Sequence, residues 1–437
     1  MNKTLCVVSC ALDTFSGYGA KVRGILKSLI ELKGNEWDIK ILSQGWGNCS
    51  LGFLDANPEW TYLKQYIHEG PLHQQPDIWI QDTVSSEFQK IGKFNVGFCS
   101  GIETTVCDIS WVEGCNRMDL IITSSEHSKR VFENTVFEKR QGEQVVEVLR
   151  VTTPVVVLFE GFDPNIIKII DKKENFGNKE LYDSINDINE KFVFLFVGHW
   201  LQGEMGEDRK NVGLLIKAFY EIWKDKPNKP ALLLKTNGAN ASYMDEFDIR
   251  KKIDMIKSTV SSNDLPNIYL LHGEFSDKEI NELYNHPKIK SMVSLTKGEG
   301  FGRPLLEFSV TGKPIIASAW SGHLDFLKKE WSAFVSGELK PIHPTAQVPN
   351  ILIEGSQWFS PNHGEFGFLL NDVYSKYNDW LKKSKHQGKY SASNFSMNKM
   401  TSKLKNIIEN NFVLPPTFIP LNLTSKKLEL PKLKPVN

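Results

Sequence analysis

The chain has 437 residues, with 52 lysines and arginines balanced by 52 aspartates and glutamates and a hydrophobic content of 41%. That length exceeds one ordinary core and predicts two or three domains. The apolar and aromatic content is that of a soluble globular enzyme, and no apolar run approaches the ~18 residues of a membrane-spanning helix.

The start of the chain, residues 3–12, runs into Asp13 and a glycine turn, which favours a first buried strand over a signal peptide. A helix is predicted around 21–32, then strands at 39–42, 78–80, 96–99, 120–123 and 155–159, the rhythm of a doubly wound α/β sheet. All six cysteines, at 6, 10, 49, 99, 107 and 115, lie in this stretch without the close pairing of a zinc or redox motif. They predict reduced core thiols and a cytoplasmic protein.

Glu160-Gly-Phe-Asp-Pro164 and the polar run that follows predict a linker. A second series opens with a strand at 192–197 and a helix at 211–223, whose Leu214, Leu215, Ala218, Phe219 and Ile222 recur at helical spacing. Strands at 231–235, 268–271, 292–295 and 315–317 complete it. The fold class is therefore α/β, with two Rossmann-like doubly wound domains facing each other across a cleft, where open sheets bind ligands. The expected boundaries are 1–158 for the first domain, 159–190 for the linker, 191–385 for the second domain, and 386–437 for a terminal helix with a proline- and lysine-containing tail. From Lys382 onward eleven lysines face only Glu409 and Glu429. This cationic end suits either a solvated helix face or an anionic partner such as nucleic acid or lipid headgroups.

The most informative segment runs from Gly298 to Gly312, a glycine loop that sets Glu299 and Glu307 seven intervening residues apart. A short apolar strand precedes it, and Pro304 suits the start of a helix. Glu299 is expected near a strand end and Glu307 in the first turn of that helix. Glycine backbone amides and a helix N-terminus together suit a phosphate, and the two carboxylates can accept hydrogen bonds from hydroxyls on either side of a diphosphate. Gly17 and Gly19 open the first helix in a shorter glycine turn. Its third glycine position is Val22, which weakens a dinucleotide fingerprint.

Glu299-Gly-Phe-Gly-Arg-Pro-Leu-Leu-Glu307, Arg209-Lys-Asn211, His272-Gly-Glu-Phe275 and Gly161-Phe-Asp163 together resemble the GT-B glycosyltransferases of the large group-1 (GT4-type) retaining family. Ser16-Gly-Tyr-Gly19, Glu103-Thr-Thr105 and Ser124-Ser-Glu-His127 are similar to members carried by tailed bacteriophages. The resemblance implies that Glu299 meets the transferred sugar, Glu307 the nucleotide ribose, and Lys210 with Arg209 the diphosphate. It places Glu103 near the position where the family often has a sugar-facing histidine. His199 replaces a frequent phosphate-binding arginine. Gly17, Gly19, His199, His272, Gly273, Phe275, Gly300, Phe301 and Gly302 complete the implied donor site.

A transferase of this kind must stabilise a departing diphosphate and a cationic sugar. No Asp-x-Asp is present, so no metal is expected and two basic side chains with a helix terminus take the ion's role. The co-substrate is a nucleoside diphosphate sugar, with a UDP-sugar favoured. The resemblance and the lysines at 382, 383, 385, 399, 403, 405, 426, 427, 432 and 434 point to a hydroxylated pyrimidine in double-stranded phage DNA as acceptor. A cell-surface saccharide, glycolipid or protein is the alternative. A protein that only binds the nucleotide sugar is the reading from another class.

Overall fold

The computed structural model describes residues 3–171, 176–238 and 241–412. Its first sheet is parallel with strand order β2-β1-β3-β4-β5-β8, built from β1 (Thr4–Cys10), β2 (Trp37–Ser43), β3 (Ile78–Asp82), β4 (Phe94–Cys99), β5 (Leu120–Thr123) and β8 (Val155–Val157). Helices cover both faces, so β4 and β5 are buried at every position, as the apolar runs in the sequence dictate. Between β5 and β8 an antiparallel hairpin, β6 (Val136–Gln141) and β7 (Gln144–Arg150), stands off the sheet with Val136, Val146 and Val148 about half exposed. No element is expected there from the sequence.

The second sheet repeats the plan in the order β11-β10-β9-β12-β13-β14, from β9 (Val193–Val197), β10 (Ala231–Lys235), β11 (Ile268–Leu271), β12 (Ile289–Ser294), β13 (Ile315–Ser318) and β14 (Ala333–Val335). Beside it lies a hairpin of β15 (Gly337–Pro341) and β16 (Gln357–Pro361). In both sheets the chain leaves the first strand, fills one side, then crosses to the other, which opens a crevice at the carboxyl ends of the central strands.

Two features bear on the expected boundaries. The stretch expected as linker is not a free tether: Phe162, Ile166, Ile167, Leu181, Ile185 and Ile188 enter the core of the second domain, the last three from or beside the helix Lys179–Asn186. Apolar side chains dispersed among many charges hid this burial. The helix Tyr377–Asn394 also runs unbroken through the expected boundary at 385, and the chain crosses back only at Phe395. There Met397 N–H donates to Phe162 O at 2.7 Å, and the helix Met397–Asn411 buries Met397, Met400, Leu404, Ile407 and Ile408 in the core of the first domain. Lys426, Lys427, Lys432 and Lys434 lie outside the described residues.

Candidate functional site

The turn before the helix Val212–Trp223 presents Arg209 and Lys210. Asn211 adopts a left-handed conformation, φ 57°, which asparagine tolerates, and its side chain makes no cap. Asp208 caps instead, accepting from Val212 N–H at 3.0 Å. Lys297 N–H donates to Arg209 O at 2.8 Å, stitching this turn to the glycine loop.

Glu299 is 7% exposed, and its Oε1 lies 2.5 Å from Lys210 Nζ while its Oε2 lies 3.7 Å from Arg209 Nη1. Burial raises the affinity of this carboxyl for a proton, but Lys210 and then Arg209 outweigh it, so Glu299 is held ionised below the usual carboxylate range. Its backbone N–H donates to Ser321 Oγ at 2.9 Å. Ser321 has φ 84°, a strained value for a residue with a side chain.

Glu307 sits behind the loop on the helix Arg303–Ser309, one turn deeper than expected, because the helix starts at Arg303 and the glutamate is its fifth residue. The correction has a simple cause: Gly302, at φ 93°, caps the helix in the left-handed region. Arg303 and Glu307 then stand four positions apart on one helix face, and Arg303 Nε donates to Glu307 Oε1 at 2.6 Å. Burial pushes the Glu307 carboxyl up, with Arg303 opposing it.

The loop glycines have a second use. A Cβ on Gly298 would lie 2.0 Å from Glu103 O, and one on Gly300 2.3 Å from Ser100 O. Their lack of side chains therefore lets the two domains meet, in addition to any backbone approach to a ligand. Phe301 is buried in the second core. Glu103 reaches the site from the first domain, its Oε1 3.3 Å from Arg209 Nη1, so Arg209 bridges Glu103 and Glu299 across the cleft.

His199, at the end of β9, is lowered to about 4 by burial and then by Lys210, Lys235 and Arg209. It is a neutral imidazole beside the phosphate-binding candidates. Gly273, at φ 124°, receives Lys235 Nζ on its carbonyl at 2.7 Å, and Lys235 stands 4.8 Å over the Phe275 ring. His272 turns to Asp245 at 2.8 Å. Gly17 has no neighbour within 4 Å of a built Cβ, whereas Gly19 is pressed by Thr14 O at 2.5 Å. Gly19 thus serves the turn, and Gly17 leaves open space. Among the described residues no group of three or more metal-binding side chains gathers.

Sequence reasoning did not single out Ser321 or Tyr284, a buried phenol whose proton affinity is raised by burial and then by the Glu307 charge. Ser321 lies 22 residues from Glu299 and carries no local signal. The Arg303–Glu307 contact was readable from its spacing of four on one helix.

This architecture is the GT-B fold. Residues 178–339 match the family model described as "Glycosyl transferases group 1". In fold the chain is similar to Anabaena HepE solved with UDP and glucose, at TM-score 0.58 and 12% identity over 93% of this chain and 99% of that one. It is similar to a sucrose-phosphate synthase from Thermosynechococcus elongatus at TM-score 0.59 and 10% identity, covering 93% and 98%. A UDP-forming α,α-trehalose-phosphate synthase from Burkholderia xenovorans gives 0.58 and 10%, covering 94% and 100%. No curated protein sequence matches the chain.

Proposed function

We propose that the chain transfers a sugar, with retention, from a UDP-sugar to a hydroxyl of a small carbohydrate or sugar phosphate, without a metal ion. The observation that carries this is Glu299, buried and ionised between Lys210 and Arg209, with Glu307 buried behind the same loop. In this reading Lys210 and Arg209 turn to the diphosphate, Glu299 meets the sugar and the cation that develops on it, and Glu307 accepts from the ribose. The bond from the anomeric carbon to the diphosphate oxygen breaks. The acceptor oxygen bonds to the same face, and its proton passes to the departing diphosphate, so no protein base is required.

The carbohydrate acceptor replaces the DNA base expected from the sequence. Two of the proteins of similar fold are sugar-phosphate synthases by name. Of the seven described lysines from 382 onward, two pair with carboxylates, Lys382 3.6 Å from Asp379 and Lys405 3.8 Å from Glu409, and two lie over rings, Lys383 over Trp380 and Lys403 over Phe159. The two ion pairs set part of the charge that a phosphate backbone would need against carboxylates. The test is mass spectrometry of products from UDP-sugars offered with sugars, sugar phosphates and hydroxymethylated duplex DNA, with NMR of the anomeric centre and parallel reactions in EDTA. Retention, product on the carbohydrate and full activity in EDTA are expected. Glycosylated DNA with untouched carbohydrate would restore the other acceptor, and inversion or a manganese requirement would overturn the chemistry.

A further inference from the structure

A cavity of about 440 Å³ opens on the flank of the glycine loop, between the turn at Met205, Gly206 and Glu207, the side chain of Lys297 and the β15–β16 hairpin. None of Arg209, Lys210, Glu299 and Glu307 lines it. Its wall carries Lys297, Lys340, His343 and His363 against a single carboxylate, Glu207. Lys297 is 4% exposed, yet its Nζ stands 3.7 Å from Glu207, longer than a hydrogen bond, and 5.0 Å over the ring of Trp358. Trp358, also on the wall, is 0% exposed, and its indole Nε1 has no acceptor among the described residues. A buried donor without an acceptor is costly, and an ordered water or a ligand can supply the oxygen. Burial, then Lys297 and Lys340, hold the His363 imidazole below its ordinary range, as expected where cations crowd one space.

We propose that this cavity binds a phosphate monoester, with Lys297 and Lys340 meeting its charge and the Trp358 indole N–H donating to one of its oxygens. Among the described residues Lys340 pairs only with exposed Glu338, at 3.0 Å, and is free to exchange that partner for a dianion. The site also adjoins the catalytic turn: Lys297 N–H donates to Arg209 O at 2.8 Å, and Lys297 O accepts from Phe359 N–H at 2.9 Å. An occupant that fixes Lys297 therefore steadies the backbone that presents Arg209.

The experiment uses the full chain with nitrogen-15 in its tryptophans, the Trp358 indole resonance being assigned by its loss in Trp358→Phe. Glucose 6-phosphate, inorganic phosphate, sulfate and glucose are titrated separately, so binding is read without turnover and independently of the donor chemistry. Glucose 6-phosphate is expected to displace the resonance at lower concentration than inorganic phosphate, and glucose is expected to leave it in place. In Lys340→Gln combined with His363→Gln, both surface changes, the apparent Kd should rise at least tenfold. No displacement by either phosphate, displacement unaltered in that double variant, or equal displacement by sulfate and both phosphates, an adventitious ion only, would overturn the proposal.

Discussion

Glu299 and Glu307 are held in different ways, and the difference separates their roles. Glu299 is paired from another segment of chain, by Lys210 and Arg209, in a cluster that also receives Glu103 from the facing domain. Glu307 is paired within its own helix by Arg303. Glu299→Gln should lower kcat by about 10²- to 10³-fold, the usual cost of deleting one group that stabilises transition-state charge, while the far-ultraviolet spectrum stays native. Glu307→Gln should raise the donor KM roughly tenfold at near-constant kcat, since a hydrogen bond to a charged group is worth about 1.5–3 kcal/mol and a decade of affinity about 1.4. Steady-state kinetics with varied donor reads both. Wild-type kcat in the first variant would remove Glu299 from the chemistry. The spacing of the pair was legible because one glycine loop and the start of one helix connect its members. The cluster around Glu299 was less so: Arg209 and Glu103 lie on different domains, and only tertiary packing brings Glu103 to 3.3 Å.

At the scale of elements, the alternating strands and helices were legible because buried parallel strands are short apolar runs with a simple composition. What escaped was what stands off the sheets. The β6–β7 hairpin carries valines in solvent, so its pattern has no buried face to mark, and β15 is exposed along its whole length. The loop glycines gained a meaning from the structure that sequence alone did not hold. Gly298→Ala would place a methyl 2.0 Å from Glu103 O, against backbone that has little room to retreat. It should leave each domain folded and lower kcat, with a larger radius of gyration in solution scattering as the domains are pushed apart. Gly17→Ala is the contrast, because its Cβ meets no protein atom within 4 Å. Thermal stability should rise slightly, by up to about 0.5–1 kcal/mol for Gly→Ala in a helix, while KM rises if a substrate approaches that backbone as proposed. Unchanged KM would leave Gly17 a turn residue only.

At the scale of the molecule, the two domains are joined by more than the site. Thr105 N–H donates to Gln357 O at 2.9 Å, Glu126 N–H to Asp325 Oδ2 at 2.9 Å, and the terminal helix locks onto the helix Gly17–Lys33 through Ser28 and Thr401 at 2.8 Å. Along this seam His127, from the first domain, meets Trp320 of the second edge-on at 4.6 Å between ring centres, and its Nε2 has no partner among the described residues. Burial, then Arg130, lowers this imidazole from 6.5 to about 4; His323 adds a smaller push in the same direction and a hydrogen bond with the Ile102 backbone opposes it. A base whose folded value is depressed is neutral in the native state. Its stabilising contribution is whole above about 6.5 and is lost as pH falls through about 4, at about 1.4 kcal/mol per pH unit within that window. Other groups also titrate there, His199 and His286 among them, both lowered to about 4 by burial first. The informative quantity is therefore the difference from a variant. His127→Phe keeps an aromatic ring against Trp320 and removes the titration. Its melting temperature should decline less than that of the wild type between pH 6.5 and pH 4, with the two curves converging toward their constant offset above pH 7. Parallel curves across the whole range would show that His127 binds protons alike in the folded and unfolded chain, and that the seam is not where acid acts.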